Sequence, residues 1–301
     1  MKNILITGGS GFLGRNLVKK LKNKNVYIYD TAQPNYKCKF IKGSILNKSK
    51  INKKLKIHKI DTIIHLAASL GVSNTEKKPS EVIDINFLGT LNVLNAIKDT
   101  KVKKFIFASS SEVYGDNKKK MIENLELKPK SLYGHTKILG ENLVKTYSGL
   151  FGFDYLIFRF FNVCGYGQRE DFVISKFFKD IKEKKEIIVY GSGIQKRSFC
   201  HVKDACNAII LTVNKKIKNQ IFNIGNNKEP ISIRNLAILI RNNSKYKCKI
   251  NFLPFKKTDR SKNREIYYRE PDLRKIYSMT SYMPKINLFQ IIKEYTDQQL
   301  I

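Results

Sequence analysis

The sequence predicts an α/β fold: a parallel sheet with helices on both faces, joined to a smaller, discontinuous α/β lobe. Three observations carry that prediction. Short apolar runs recur along the first half, separated by stretches with helical spacing. A buried parallel sheet with helical crossovers requires this alternation. A glycine-rich turn lies between the first apolar run and the first helix, where such sheets open their ligand crevice. The 301 residues also suffice for a large sheet core and a second small lobe.

Lys2 to Thr7 reads as a buried strand, followed by Gly8-Gly9-Ser10-Gly11-Phe12-Leu13-Gly14 and an amphipathic helix reaching Leu21. A second strand, Asn25 to Tyr29, ends at Asp30; Lys39 to Ile41 is a candidate third strand and Asp61 to Ala67 a stronger fourth. Ser80 to Lys98 carries apolar residues at helical intervals, and Lys104 to Ala108 is another buried strand. Right-handed crossovers are expected between these strands. Farther on, Tyr133 to Tyr147 reads as a helix, Asp154 to Phe160 as a strand, and Asn162 to Arg169 as turns. A helix over Phe172 to Glu183, a strand over Ile187 to Tyr190, a helix over His201 to Val213 and a strand over Gln220 to Ile224 follow. Ser232 to Ile240 and Leu288 to Tyr295 are helix candidates. Since no linker separates the lobes, the first is expected from residues 1–161 and 199–227, and the second from 162–198 and 228–301.

Charge raises a competing reading. Lys and Arg total 57 against 25 Asp and Glu, giving +32. Such an excess suits nucleic acid or an anionic membrane, so its location must decide. The lysines form short scattered clusters, among them Lys53-Lys54, Lys118-Lys119-Lys120 and Lys184-Lys185, with no helix-turn-helix, zinc-finger or RNP-like pattern beside them. They read as solvated surface, so no specific nucleic-acid partner is expected. With no secretory leader pattern and no apolar span long enough for a bilayer, neither is a membrane, and a cytoplasmic location is expected. Cys38, Cys164, Cys200, Cys206 and Cys248 form no CxxC pair, and His58, His65, His135 and His201 lack metal-ligand spacing. Reduced thiols and no metal are the expectation.

Chemistry concentrates at two places. Gly8, Gly11 and Gly14 sit between strand and helix, where small residues let a pyrophosphate approach backbone N–H groups at the helix N-terminus. Asp30 closes the second strand, where a carboxylate would hold an adenosine ribose and disfavour a 2′-phosphate, so NAD is expected over NADP. The second place is Ser109-Ser110-Ser111-Glu112-Val113-Tyr114-Gly115 with Tyr133-Gly134-His135-Thr136-Lys137. Tyr133 and Lys137, four apart, share one helix face. A lysine cation stabilises tyrosinate, so the tyrosine can take a proton from a sugar hydroxyl while a nicotinamide takes hydride; a serine hydroxyl positions that oxygen.

At this point the chain resembles the extended short-chain dehydrogenase/reductase family of NAD-dependent nucleotide-sugar epimerases and dehydratases. The resemblance rests on TGGSGFLG at Thr7 to Gly14, HLAA at His65 to Ala68, the SSSEVYG and YGHTK segments, and RFFNVCGYGQR at Arg159 to Arg169. GSGIQKRSFCHVKD at Gly191 to Asp204, FNIG at Phe222 to Gly225, and Arg269-x-x-Asp272 continue it. It implies a Rossmann-type lobe holding NAD through Gly8, Gly11, Phe12, Leu13, Gly14, Asp30, Ser44, Ile45, Leu66, Ala67, Ala68, Tyr133 and Lys137. It implies Tyr133 as base, Lys137 as its partner, Ser110 as the catalytic Ser/Thr, and Glu112 as a further acid or base. A nucleoside-diphosphate sugar would meet Ser110, Ser111, Glu112, Tyr133 and Asn162. Arg197 and Arg269 would clamp its diphosphate, with Asp272 supporting Arg269 or contacting the nucleotide.

The pattern departs at two positions. Ser44-Ile45 stands where many relatives have Asp-Ile or Asp-Leu, and Cys164 replaces a common tyrosine. Cys164 is read as core or pocket lining, and His65 as strand-end packing. Oxidation at sugar C4 is expected in every case. A 4-epimerase is the first choice because Ser111 is not the dehydratase aspartate. A 4,6-dehydratase, a net C4 dehydrogenase and a uronic-acid decarboxylase remain open through Glu112. Intact Ser110, Tyr133 and Lys137 argue against an inactive NAD-binding protein. The resemblance further implies a homodimer through helices near Ile83 to Ala96 and Tyr133 to Tyr147, or a tetramer of such dimers, serving polysaccharide synthesis. UDP-, GDP-, CDP- and dTDP-sugars all remain candidates.

Overall fold

The computed structural model describes residues 2–71, 75, 77–257 and 265–299. Its first half lays strands β1 (Asn3–Thr7), β2 (Asn25–Asp30), β3 (Lys39–Lys42), β4 (Thr62–His65) and β5 (Lys104–Ser110) between helices α1 (Phe12–Lys20), α2 (Lys48–Ile57), α3 (Pro79–Ile83) and α4 (Gly89–Asn95). A short 3-10 turn, Ser111–Tyr114, leads toward α5 (Leu132–Phe151), β6 (Asp154–Phe160) and β7 (Val163–Cys164). Next come α6 (Val173–Lys182), β8 (Ile187–Tyr190), β9 (Lys196–Arg197), β10 (Cys200–His201), α7 (Val202–Asn214) and β11 (Gln220–Ile224). The chain ends through β12 (Ile231–Ser232), α8 (Ile233–Asn242), β13 (Ile250–Leu253), β14 (Tyr268–Arg269), α9 (Arg274–Thr280) and α10 (Leu288–Gln299).

Seven strands form one parallel sheet in the order β11-β6-β5-β4-β1-β2-β3. Alternate residues serve opposite faces, as a two-residue period requires. Ile4 and Ile6 meet Leu17 of α1 and Ala205 and Ile209 of α7. Leu5 and Ile63 face the other way, into a core with Ile51 and Leu55 of α2 and Val144 of α5. Both faces are therefore buried, and the strands read as apolar runs. A separate core holds Phe177 and Phe178 of α6, Val189 of β8, Leu236 of α8 and Ile291 of α10. Among the described residues, no helix is long and apolar enough to cross a membrane.

The structure departs from the sequence reading in several elements. The helix expected over Ser80 to Lys98 contains a π-helical segment, Asp84–Leu88, between α3 and α4. Asn86 lies in that segment, 2% exposed, and its side chain bonds both the N–H and the carbonyl of Ser69 at 2.8 and 2.9 Å. Those bonds anchor the widened turn against the loop after β4, at the kind of place where π segments serve a site. The fourth strand stops at His65, so Leu66 to Ala68 leave the sheet and pass the glycine turn. Helix α2 was unmarked because its lysines hide a stripe of only Ile51 and Leu55. Strand β13 and helix α9 were also unmarked. Leu273, Ile276 and Tyr282 pack into the sheet core with α7, although 228–301 was allotted to the smaller lobe. Their apolar side chains cover the flank of β11, which would otherwise face water.

Candidate active site

The crevice opens at the C-terminal ends of the sheet strands. Gly8 has φ +69°, and a Cβ there would lie 2.6 Å from the Ala67 nitrogen. A Cβ on Gly14 would lie 2.5 Å from the Gly9 carbonyl oxygen. Only glycine admits this approach of turn, helix and neighbouring loop. Gly11 caps α1 without a side-chain bond, so the first-turn N–H groups are not claimed by a cap, and the helix dipole favours an anion there. Phe12 and Leu13 are half-buried beneath this turn.

Asp30 ends β2 with its carboxylate against the turn, accepting from the Ser10 N–H at 3.0 Å and the Ala32 N–H at 3.1 Å. Ser44 follows β3; its hydroxyl accepts from the Leu46 N–H at 3.2 Å, and Ile45 is buried below. Glycine cradle, uncapped helix start and carboxylate together fit a dinucleotide, with Asp30 at the ribose. Tyr36 was missed. Its hydroxyl donates to the Gly9 carbonyl at 2.7 Å, and burial pushes it up to about 12. A lone tyrosine in a polar loop carried no sequence signal for this role.

The end of β5 and the first turns of α5 bring the expected catalytic residues Ser110, Tyr133 and Lys137 together. The Tyr133 hydroxyl lies beside Ser110. Burial and then the Glu112 charge push it above its ordinary value; the Ser110 hydroxyl and the Arg269 charge act the other way. Lys137 is 4% exposed, donates to the Ala108 carbonyl at 2.8 Å, and lies 5.5 Å from the Tyr133 ring centre. Burial lowers it to about 8, with Glu141 opposing. The Glu112 carboxylate accepts from Ser131 at 2.6 Å and lies 3.7 Å from the Arg269 guanidinium.

Farther out, Arg197 and Arg269 are register partners on parallel β9 and β14, so the two guanidinium-bearing residues stand side by side. Arg197 is ion-paired with buried Glu265 at 2.8 Å. Asn162 has φ 38°, and its amide donates to the Ser198 carbonyl at 3.0 Å. Ser111 is 1% exposed, and its hydroxyl has no hydrogen-bond partner among the described residues. One expectation is corrected. Asp272 does not support Arg269; its carboxylate takes Arg274, Nε at 2.8 Å and Nη2 at 2.7 Å. The chain is held at Pro271 by a bridge to Met121.

His65 is 1% exposed, with its ring nitrogens at Thr7 (2.6 Å) and Thr90 (3.1 Å), and burial pulls it down to about 3. It is a neutral packing residue. Cys164 is 2% exposed with its thiol pushed well up by burial, which makes it lining rather than nucleophile.

The family model described as the NAD dependent epimerase/dehydratase family matches residues 4–225. A UDP-N-acetyl-alpha-D-glucosaminuronate decarboxylase of Bacillus cytotoxicus is 35% identical over 320 residues, covering 97% of this chain and 96% of its own. A UDP-glucuronate 4-epimerase of Thermodesulfobacterium geofontis is 30% identical over 308 residues, covering 96% and 93%. The structure of a UDP-glucuronic acid 4-epimerase from Bacillus cereus, in complex with UDP-glucuronic acid and NAD, aligns with TM-score 0.88 and 30% identity over 100% of both chains. By the span of the family model and by these relatives, the chain belongs to the NAD dependent epimerase/dehydratase family of enzymes.

Proposed function

We propose that this chain is an NAD-dependent nucleotide-sugar 4-epimerase that works through a transient 4-keto sugar. The observation that carries the reading is the Ser110–Tyr133–Lys137 cluster at the end of β5, beside a glycine cradle that fits a dinucleotide. Gly8, Gly11, Gly14 and the start of α1 would hold the NAD pyrophosphate, Asp30 the adenosine ribose, and Ser44 and Ile45 the adenine side. Leu66, Ala67 and Ala68 line the loop across from the cradle. Bound NAD supplies the hydride acceptor for C4 and the donor for its return.

The chain's own residues handle the proton. Ser110 holds the sugar O4, and Tyr133 Oη takes its proton as the C–H bond breaks. The Lys137 ammonium offsets the tyrosinate charge in a site that excludes water. Tyr133 returns the proton after the ketone has offered its other face, so substrate and product are isomers and nothing is consumed. Arg197 and Arg269 would meet the diphosphate with charge-assisted bonds. Asn162, Ser111 and Asp272 would contact the sugar or nucleotide.

A second reading has its own observation. Glu112, beside Tyr133 and 3.7 Å from Arg269, has no task in plain epimerisation. A carboxylate there suits proton transfer at C5 or C6, as in 4,6-elimination, or chemistry at a uronate C6 once C4 is oxidised. Net 4-keto sugar formation would use the same first step. Because the relatives described above are named for UDP-uronate sugars, UDP-glucuronate is the first substrate to offer. A homodimer through α3, α4 and α5 fits exposed Ile83, Leu88, Leu139 and Leu150 on that stretch.

A mass-resolved screen of nucleotide sugars tests the reading. Two sugars of equal mass should interconvert without added cofactor turnover. Loss of water would select elimination, loss of carbon dioxide decarboxylation, and a 4-keto sugar with bound NADH net oxidation. No product from any nucleotide sugar would overturn both readings.

A further inference from the structure

The proposed reaction leaves one buried charged cluster without a task. Glu141 lies on α5, two turns beyond Tyr133 and one beyond Lys137, and is 1% exposed. Spacings of four place all three on one helix face. That face meets three consecutive residues of β5. Ala108 accepts from Lys137 at 2.8 Å, Ser109 donates to Glu141 at 2.5 Å, and Ser110 lies beside Tyr133. Glu141 is gripped from the neighbouring strand by Arg159, which is 3% exposed, through Nε at 2.9 Å and Nη2 at 2.7 Å. Arg159 is the register partner of Ser109 and is braced by the Tyr114 hydroxyl at 2.9 Å and the Glu123 carbonyl at 2.8 Å. A buried pair of this kind adds little stability over apolar side chains of the same shape, whereas leaving one partner alone is costly. Its place in the site points to position rather than stability.

We propose that Glu141, gripped by Arg159, is a positioning residue that locks α5 in register against the end of β5 and keeps Lys137 charged beside Tyr133. The inference rests on Tyr133 and Lys137 acting as base and partner. The groups facing Lys137 are Tyr133 and Glu141 on its own helix, neutral His65 on β4, and Phe107 and the Ala108 carbonyl on β5. Arg159 on β6 stands behind Glu141. Burial already draws Lys137 down to about 8, and Glu141 is the charge that opposes this. Without it, Lys137 would lose its proton at a lower pH.

The test reads Lys137 directly. In NAD-loaded protein carrying 13C at lysine Cε, the Lys137 resonance, assigned by its loss in Lys137→Gln, is followed against pH. Wild type should titrate below the ordinary lysine range. The double variant Glu141→Gln/Arg159→Met leaves neither member of the Glu141–Arg159 pair as a lone buried ion and should titrate about one pH unit lower, a tenfold change in the ionisation constant. Ser109→Ala removes one strand–helix bond and no charge. It should leave the titration in place and slow hydride transfer about tenfold at every pH with KM nearly unchanged, the mark of misplacement. An unmoved Lys137 titration in the folded double variant, or a wild-type rate in Ser109→Ala, would overturn the proposal. If wild type transfers no hydride from any nucleotide sugar, the functional reading fails while the Lys137 titration still decides this one.

Discussion

Gly8 and Gly152 share a positive φ, +69° and +70°, and have opposite surroundings. At Gly8 an added Cβ would meet Ala67 N at 2.6 Å, Ala67 Cα at 2.7 Å and the Leu66 carbonyl carbon at 2.9 Å, all backbone. At Gly152, the C-cap of α5, nothing lies within 4 Å. Alanine at either position incurs about 1–2 kcal/mol for the positive φ, and both substitutions stiffen the unfolded chain alike. Their difference therefore isolates the crowding, which overpacked sites place at about 1–3 kcal/mol. Urea unfolding followed by circular dichroism should show Gly8→Ala less stable than Gly152→Ala by that amount. Calorimetric titration should show NAD bound at least about tenfold more weakly by Gly8→Ala and normally by Gly152→Ala, since 1.4 kcal/mol of misfit is tenfold. Equal stabilities, together with wild-type NAD affinity in Gly8→Ala, would refute the argument that the close pass of the 66–68 loop shapes the cradle.

Three further outcomes follow from the site. His65 is held neutral in the folded chain down to about pH 3, whereas unfolded histidine protonates near 6.5. Its contribution is present above about pH 6.5 and is lost as pH falls, at about 1.4 kcal/mol per pH unit; His65→Asn should flatten that part of the acid-unfolding curve. Asp30→Asn should weaken NAD about tenfold and narrow the preference over NADP, read by parallel titrations, since a carboxylate repels a 2′-phosphate. Glu112→Gln should leave C4 oxidation within about threefold if the enzyme only epimerises. A loss of about 100-fold or more in product release, with bound NADH accumulating, would select the lyase readings instead.

How much was legible depended on where the information sits. Asp154–Phe160, Ile187–Tyr190 and Gln220–Ile224 emerged with the bounds read from sequence, because each is a short apolar run bounded by polar or turn residues. The glycine turn, Asp30 and the Tyr133–Lys137 pair were legible because their chemistry is local, confined to one turn or one helix face. Helix α2 was not, because lysines on most of its surface mask the two residues that dock it. The π segment depends on a bond from Asn86 to Ser69, seventeen positions away, which no local pattern encodes. The Arg197–Arg269 pairing arises from strand register, the Glu141–Arg159 grip joins a helix to a neighbouring strand, and Asp272 takes Arg274 two positions on. The +32 charge gained no role of its own: the proposed site would take only Lys137, Arg197 and Arg269, and most other lysines stand in water.

The central claim is that Tyr133 takes the proton as C4 is oxidised. It is tested most directly by mixing NAD-loaded enzyme with its nucleotide sugar and following formation of bound NADH in wild type and in Tyr133→Phe. The variant should keep its NAD and still bind the sugar, while hydride transfer slows by about 100- to 10,000-fold. Near-normal NADH formation in Tyr133→Phe would contradict it.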